Sequence, residues 1–494
     1  MSTARKILSN TIAQIIGKAL VALLGLIVVK VSTQYLGRAG FGNYSFIYEF
    51  LAFFGIAADL GLFTIAVKEM SENEHQIEKI IGNILSLRTI LVATTMIIAV
   101  ITVFLIPKYQ NTLIPVGVAI ASITVFLTIL NGTLTSVLQT KLKMEVSSFA
   151  TVIGKIFSVS FMLYVIFFGF PNDKETGFYM LILAGVIGMT VNLLITHHYV
   201  KKIAPINYQF DISLWKSILK KSAPYGLALI LNTIYFRIDS ILIFNMRSEE
   251  ELGIYSVAMK MLESFSILPL YFMNSVLPTL TKSINEGEGR HKKVISYAFD
   301  FLASISVPMV IGGTILAYPI IFIVSTPDFL SRISEGFYGS DIAFQILIFA
   351  LFFQFLNVLF AFILIAIDKQ SRLLYINLFG VIFNLASNFL IIPAYGFRGA
   401  AFTSVLSEMF IFIATFLVAR SFLKFNISIK NLAKIIFSGS LMGFAIYYLQ
   451  PLSYDFFQNW NVLILIPFGA AIYLGSLLAT GTVSKEMLQL LKKK

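Results

Sequence analysis

The sequence predicts an all-α polytopic membrane protein with fourteen transmembrane helices. Three observations predict it. The 494 residues are 57% hydrophobic and only 13% charged, with mean hydropathy +0.85; a soluble domain carries about 25% charged residues. Apolar runs of roughly 18 residues or more recur from end to end, each enough to cross a hydrocarbon core of ~30 Å. The basic residues concentrate in every second connecting segment, as membrane insertion requires.

The basic start MSTARKILSN leads into an apolar run from Ile7 to Val31. That is longer than a signal-peptide core, so it reads as a retained first helix. Turn and charge signals then bound the spans at 8–32, 42–67, 79–106, 112–138, 146–170, 177–199 and 222–245. The remainder are 253–280, 293–324, 341–367, 373–392, 398–420, 431–450 and 461–482. With the N-terminus inside, the inner segments hold 26 of the 37 Lys and Arg, from Arg5 and Lys6 to Lys485 and Lys492–Lys494. Lys79 and Arg88 are counted there. The outer segments hold six, among them Arg38, Lys108 and Arg247. One miscounted helix would invert this alternation downstream, so both ends are expected inside.

The same distribution accounts for the formal net charge of +12 without a nucleic-acid partner. Cysteine is absent, which excludes disulfides, thiolate nucleophiles and zinc–cysteine sites. The four histidines, His75, His197, His198 and His291, fall at helix ends or in loops. The chain contains no HExxH, GxxxxGK[ST] or GxGxxG. No catalytic residue, metal site or cofactor is therefore expected. The longest connections, near Lys201–Lys221 and Pro327–Ser340, are too short for a soluble catalytic domain, so the helices themselves must carry the function.

Two stretches align without gaps: GFGNYSFIYEFLAFF (40–54) and ELGIYSVAMKMLESF (251–265). Gly42 meets Gly253, Tyr44 meets Tyr255 and Ser45 meets Ser256. An offset of six helices in the same orientation means a parallel repeat: two six-helix lobes related by a pseudo-two-fold axis along the membrane normal. The expected divisions are 1–205 (spans 1–6), 206–425 (spans 7–12) and 426–494 (spans 13–14 and tail).

Charges inside spans mark the candidate site. Arg237 and Asp239 lie in ILNTIYFRIDSILIF, residues 230–244. A lipid-facing charge at that depth costs at least ~2.5–3.5 kcal/mol, so Arg237 is expected to face protein or a water-filled cavity. Two residues apart on a helix, Arg237 and Asp239 point in different directions. Glu49 aligns with Lys260, each roughly 10 Å below the outer surface. Two arrangements are open: the pair meets when the lobes close, or Lys260 pairs locally with Glu263 at i, i+3. On the first span Asn10, Gln14, Lys18, Ala22 and Gly25 form a small polar stripe with one cation. Asp59 and Glu408 are further embedded acids, and Asn377, Asn384 and Asn388 share a face of span 11. A buried charged seam in two lobes describes a transporter working by alternating access.

YLGRAGFGNYSF (35–46), the run from KSAPYGL through RIDSILIF to ELGIYSVAMKM (221–261), and NFLIIPAYGFRGAAFTSVLSE (388–408) carry a resemblance. The sequence resembles the polysaccharide and O-antigen flippases of the multidrug/oligosaccharidyl-lipid/polysaccharide exporter superfamily, over the whole chain in order. The resemblance implies a V-shaped fold of two six-helix lobes plus two C-terminal helices that offer a groove for a lipid tail. It implies translocation of a polyprenyl-pyrophosphate-linked oligosaccharide repeat unit from the cytoplasmic to the outer leaflet, for capsule, O-antigen or exopolysaccharide assembly. Membrane lipid and a polymerase or other polysaccharide assembly proteins would be the further partners. Lys18, Arg237, Lys260 and Gln14 are then the candidate substrate-binding residues, because cations in a low-dielectric cavity suit a pyrophosphate. Glu49, Asp59, Asp239 and Glu263 are the candidate gating or ion-coupling residues. These acids offset the cations and depart from the uniformly cationic cavity expected for a lipid II flippase. A cation-coupled multidrug exporter of the same fold is the alternative. A membrane-embedded glycan polymerase or ligase would need a catalytic outer loop.

Overall fold

The computed structural model describes residues 3–286 and 289–482, with side chains from residue 14 onward, apart from 287–288. Asn10 of the first-span stripe and the tail lysines Lys485 and Lys492–Lys494 therefore lie outside the described side chains. The helices are α1 (Thr3–Asp59), α2 (Leu62–Glu72), α3 (Ile77–Leu105), α4 (Ile114–Thr140), α5 (Met144–Tyr164), α6 (Lys174–Val200) and α7 (Ile212–Met246). They continue as α8 (Glu249–Asn285), α9 (Arg290–Ile315), α10 (Ala317–Val324), α11 (Ser340–Ala366), α12 (Gln370–Phe422), α13 (Ile429–Phe457) and α14 (Val462–Ala479). Among the described residues the extended pairing is confined to one isolated bridge, Arg332 to Phe337.

Among the described residues, ten helical stretches are long and apolar enough to cross a membrane. Three of them run 51–59 residues (14–72, 370–422 and 429–479), each long enough for two crossings. α8 is not among the ten; Lys260, Glu263, Pro269 and Pro278 interrupt it. In α1 the backbone leaves helical geometry at Gly37 (φ 68°, ψ −172°), and in α12 at Gly396 (φ 57°, ψ −140°). Glycine alone enters these regions cheaply. Where the sequence predicts loops at 33–41 and 393–397, the chain thus stays largely helical and turns at one glycine. The predicted span 42–67 is itself broken, at Leu60 (φ 44°) and Gly61 (φ 75°). Pro224 precedes a close approach there: a side chain at Gly226 would collide with the backbone of Leu60, and one at Gly61 with Tyr225.

The chain forms two compact units, Met1–Gly253 and Ile254–Lys494. In the first, one apolar core joins α2, α3, α4 and the start of α7 through Leu62, Ile65, Ile81, Ile84, Val137 and Ile218. Another joins α1, α5 and α6 through Val28, Tyr35, Val159 and Leu181. The first turn of α8 packs against α1 reciprocally. A side chain at Gly42 would strike the Glu249 carbonyl, and one at Gly253 the Arg38 carbonyl. Each carbonyl belongs to the residue four positions before the facing glycine, so the aligned glycines meet as a local two-fold. Small residues allow this approach of backbones.

In the second unit, Pro308 of α9 has no N–H for the Ser304 carbonyl. Tyr473 of α14 supplies the donor instead, its hydroxyl donating to that oxygen at 2.8 Å. Ser476 and Ser438 tie α14 to α13 at 2.9 Å. Beside them lies an apolar cleft of about 480 Å³ lined by Pro308, Gly312, Met442, Ile446, Tyr473 and Leu474. Asn384 donates to Ser407 at 3.4 Å and Asn388 to Asn384 at 3.1 Å, so the asparagine face of span 11 binds across the kink of α12.

Candidate functional site

Two ion pairs of the first unit tie α1 to its neighbours on the N-terminal side of a helix break. Arg237, in the second half of α7, donates from Nη1 to Glu49 Oε1 at 2.9 Å and Oε2 at 2.8 Å. The Glu49 side chain is 9% exposed and that of Arg237 30%. Ten residues further along α1, Asp59 accepts from Arg88 Nη2 of α3. The Arg88 side chain is fully buried, and the guanidinium lies against Gly132 of α4. Its Nε and Nη1 have no hydrogen-bond partner among the described residues. The break at Leu60 and Gly61 follows directly, where α7 nests at Gly226. Broken helices with charges at depth are where membrane transporters hold their substrates and ions.

α7 is held along its whole length. At its start Asp211 caps the helix by accepting from the Leu214 amide at 3.1 Å and pairs with Lys79 at 3.2 Å. These bonds, the helix-capping amide first, hold the Asp211 carboxyl below the usual carboxylate range. Lys221 pairs with Glu69 at 2.6 Å. At its far end the last carbonyls, Phe244 and Asn245, accept from Lys108 Nζ at 3.1 and 3.0 Å. A cation there complements the helix dipole. The Tyr109 hydroxyl donates to Asn245 Oδ1 at 2.7 Å, and the Phe46 and Phe244 rings stack 4.0 Å apart.

The structure thus brings Glu49 and Arg237 together. Asp239, two residues on, is buried beside the buried Ser240. Asp59 is joined not by another predicted residue but by Arg88. On the first span Gln14 is half-buried and Lys18 exposed, with open space beside Gly25. In the second unit Lys260 pairs with Glu263 at 3.1 Å, the local arrangement of the two expected. Glu408 is buried in α12.

Arg88 corrects the charge count of the inner segments, since it sits inside α3 rather than at its end. Its signal was distance: it lies eleven residues past Ile77, roughly 16 Å along the axis and too far to snorkel out. Asp300, also not singled out, is buried in α9 and accepts from Asn431 Nδ2 of α13 at 2.6 Å.

Residues 7–284 match the family model described as polysaccharide biosynthesis protein, and residues 224–390 match the MatE model. No curated protein sequence matches the chain. Among solved structures the chain is similar to the lipid II flippase MurJ in an inward closed conformation. The TM-score is 0.73 and the identity 17%, over 95% of this chain and 98% of that one. It is similar to an inward-facing multidrug resistance MATE family transporter of the MOP superfamily (TM-score 0.64, 16% identity, 81% and 94% covered). It is also similar to a MOP superfamily transporter from Pyrococcus furiosus (TM-score 0.60, 17% identity, 84% and 95% covered). At these identities the likeness is one of fold: a multi-pass helical transporter fold.

Proposed function

Because this chain belongs to the polysaccharide biosynthesis protein family, we propose that it is a flippase for a polyprenyl-pyrophosphate-linked oligosaccharide. In this reading the chain crosses a bacterial cytoplasmic membrane fourteen times, with both ends cytoplasmic. It passes the glycan to the outer leaflet by alternating access between lobes 1–205 and 206–425. The observation that carries the proposal is the apolar cleft between α9, α13 and α14. An isoprenoid tail needs a dry apolar surface beside the path of its polar head, and a small soluble drug does not.

The head group is assigned to Arg237, with Lys18, Lys260 and Gln14 as further contacts. A pyrophosphate reaching Arg237 competes with the Glu49 carboxylate for the same guanidinium. Substrate binding would then loosen α1 from α7, coupling cargo to the movement of the helix. Glu49, Asp59, Asp239 and Glu263 are assigned gating or ion coupling. No group in this scheme acts as a catalyst.

The match of residues 224–390 to the MatE model favours a second reading, a cation-coupled multidrug exporter. Reconstitution in liposomes separates the two. A fluorescent sugar-labelled polyprenyl-pyrophosphate lipid is incorporated, and its exposure to an impermeant quencher is followed. Protein-dependent flipping without dye efflux supports the flippase. Dye efflux driven by a proton or sodium gradient, with no flipping, overturns it in favour of the exporter.

A further inference from the structure

The segment joining α6 to α7 seats Ile203 and Ile206 on the apolar core, bonds to α3 through polar residues and exposes a second set of apolar side chains. Residues 205–211 form neither helix nor strand and lie along the start of α3. The Gln209 amide donates to the Gly82 carbonyl at 3.3 Å. The Asp211 amide donates to Asn83 Oδ1 at 2.7 Å, and Asn83 Nδ2 to Gln209 Oε1 at 3.4 Å. Asn207 Nδ2 reaches Glu78 Oε1 at 3.4 Å. A side chain at Gly82 would collide with the Asn207 carbonyl, so glycine lets the strap lie close. Residues 207, 209 and 211 thus spend their polarity on α3. Tyr208, Phe210 and Ile212, between and after these anchors, point away from α3 and are 54%, 67% and 64% exposed.

This pattern is inverted relative to a surface strand in water. A row of exposed tyrosine, phenylalanine and isoleucine is what a membrane interface accepts. Cations flank the row. Lys201 and Lys202 precede it and are exposed, Lys202 lying 5.4 Å from the Tyr199 ring centroid. Lys216 and Lys220 follow at i+4 and i+8 from Ile212, on the same face of α7. Asp211 and Glu69 are engaged by other lysines, Asp211 by Lys79 and Glu69 by Lys221. None of Lys201, Lys202, Lys216 or Lys220 has an acidic partner among the described residues.

We propose that this strap is a docking surface for anionic phospholipid, with Tyr208, Phe210 and Ile212 seated in the interface and Lys201, Lys202, Lys216 and Lys220 holding the head-group phosphates. Charge complementarity chooses the occupant: four uncompensated ammonium groups around an apolar row suit an acidic leaflet rather than a zwitterionic one. The strap also sets the start of α7 through the Asp211 cap, so the lipid bound there bears on the helix that carries Arg237.

Brominated-lipid quenching tests this on the full chain. Trp215 and Trp460, the two tryptophans, are replaced by phenylalanine, and Phe210→Trp places a single reporter on the outward face. In nanodiscs, brominated phosphatidylglycerol should quench about twofold more than brominated phosphatidylcholine at equal mole fraction, and salt should shrink the difference. Replacing the four lysines by glutamine should remove the preference and leave the quenching. Tyr208→Trp in the same background is the second reporter. If folding suffers in both, native mass spectrometry of the unaltered chain from mixed membranes should show retained phosphatidylglycerol over phosphatidylcholine. Equal quenching by both head groups, no quenching by either, or retention without head-group preference overturns the proposal.

Discussion

Arg237 of α7 donates from one nitrogen to both carboxylate oxygens of Glu49 on α1, a pair separated by 188 residues of chain. Glu49 is nearly buried and Arg237 about a third exposed. Removing one partner of a buried pair costs roughly 3–5 kcal/mol, and partial exposure puts this one toward the low end. Arg237→Ala should therefore lower the thermal stability of the detergent-solubilised chain and abolish flipping. The swapped chain, Glu49→Arg with Arg237→Glu, should regain stability, because the pair is remade. It should stay inactive, because the cation has moved to α1. A swapped chain that flips at the parental rate would make the pair purely structural.

Asp59 and Arg88 form the more deeply buried pair. Asp59→Asn should destabilise by about 3–5 kcal/mol, since it strands a buried guanidinium. Adding Arg88→Met should recover much of that loss, because an apolar side chain of similar length needs no partner. Thermal unfolding of the single and double variants gives the comparison. A double variant as unstable as the single one would show that the site requires a charge for its shape.

Tyr473 and Pro308 should prove coupled. Tyr473→Phe leaves the Ser304 carbonyl without its donor, at about 1–3 kcal/mol. Pro308→Ala restores a backbone N–H at the position that bonds this carbonyl in a regular helix. In the Pro308→Ala background the loss from Tyr473→Phe should shrink toward zero. A double-mutant cycle on unfolding measures this, and strict additivity would refute it.

The strap should loosen in acid. The Asp211 carboxyl is held below its ordinary value by the Leu214 amide and by Lys79. A depressed folded value means stabilisation present above the ordinary carboxylate pKa of about 3.9 and lost as pH falls through the folded value. Hydrogen exchange at residues 205–214, corrected for intrinsic rate, should rise as pH drops through that window. Asp211→Ala, which lacks the cap, should exchange fast at every pH and show no such rise. An unchanged pH profile in that variant would assign the dependence to another group.

Much of this architecture is legible along the chain. Apolar runs mark the crossings, and glycine at 37 and 396 marks two turns, although the sequence alone reads those as loops where the helix persists up to the kink. The reciprocal packing of Gly42 and Gly253 was legible as an alignment but not as a contact. Helical periodicity says which residues share a face; it does not say which helix that face meets. Arg88 reads as an inner-segment cation although its distance from the start of α3 already places it at depth; which acid it meets there only its neighbours decide.

By itself the sequence determined the class, the embedded charges and the need for each to find a partner, because hydrocarbon leaves no other place for them. Tertiary structure alone decided the partners. It gave Glu49 to Arg237, Asp59 to Arg88 and the Ser304 carbonyl to Tyr473. Those choices depend on which helices pack together and at what depth, and no local pattern in the chain encodes that.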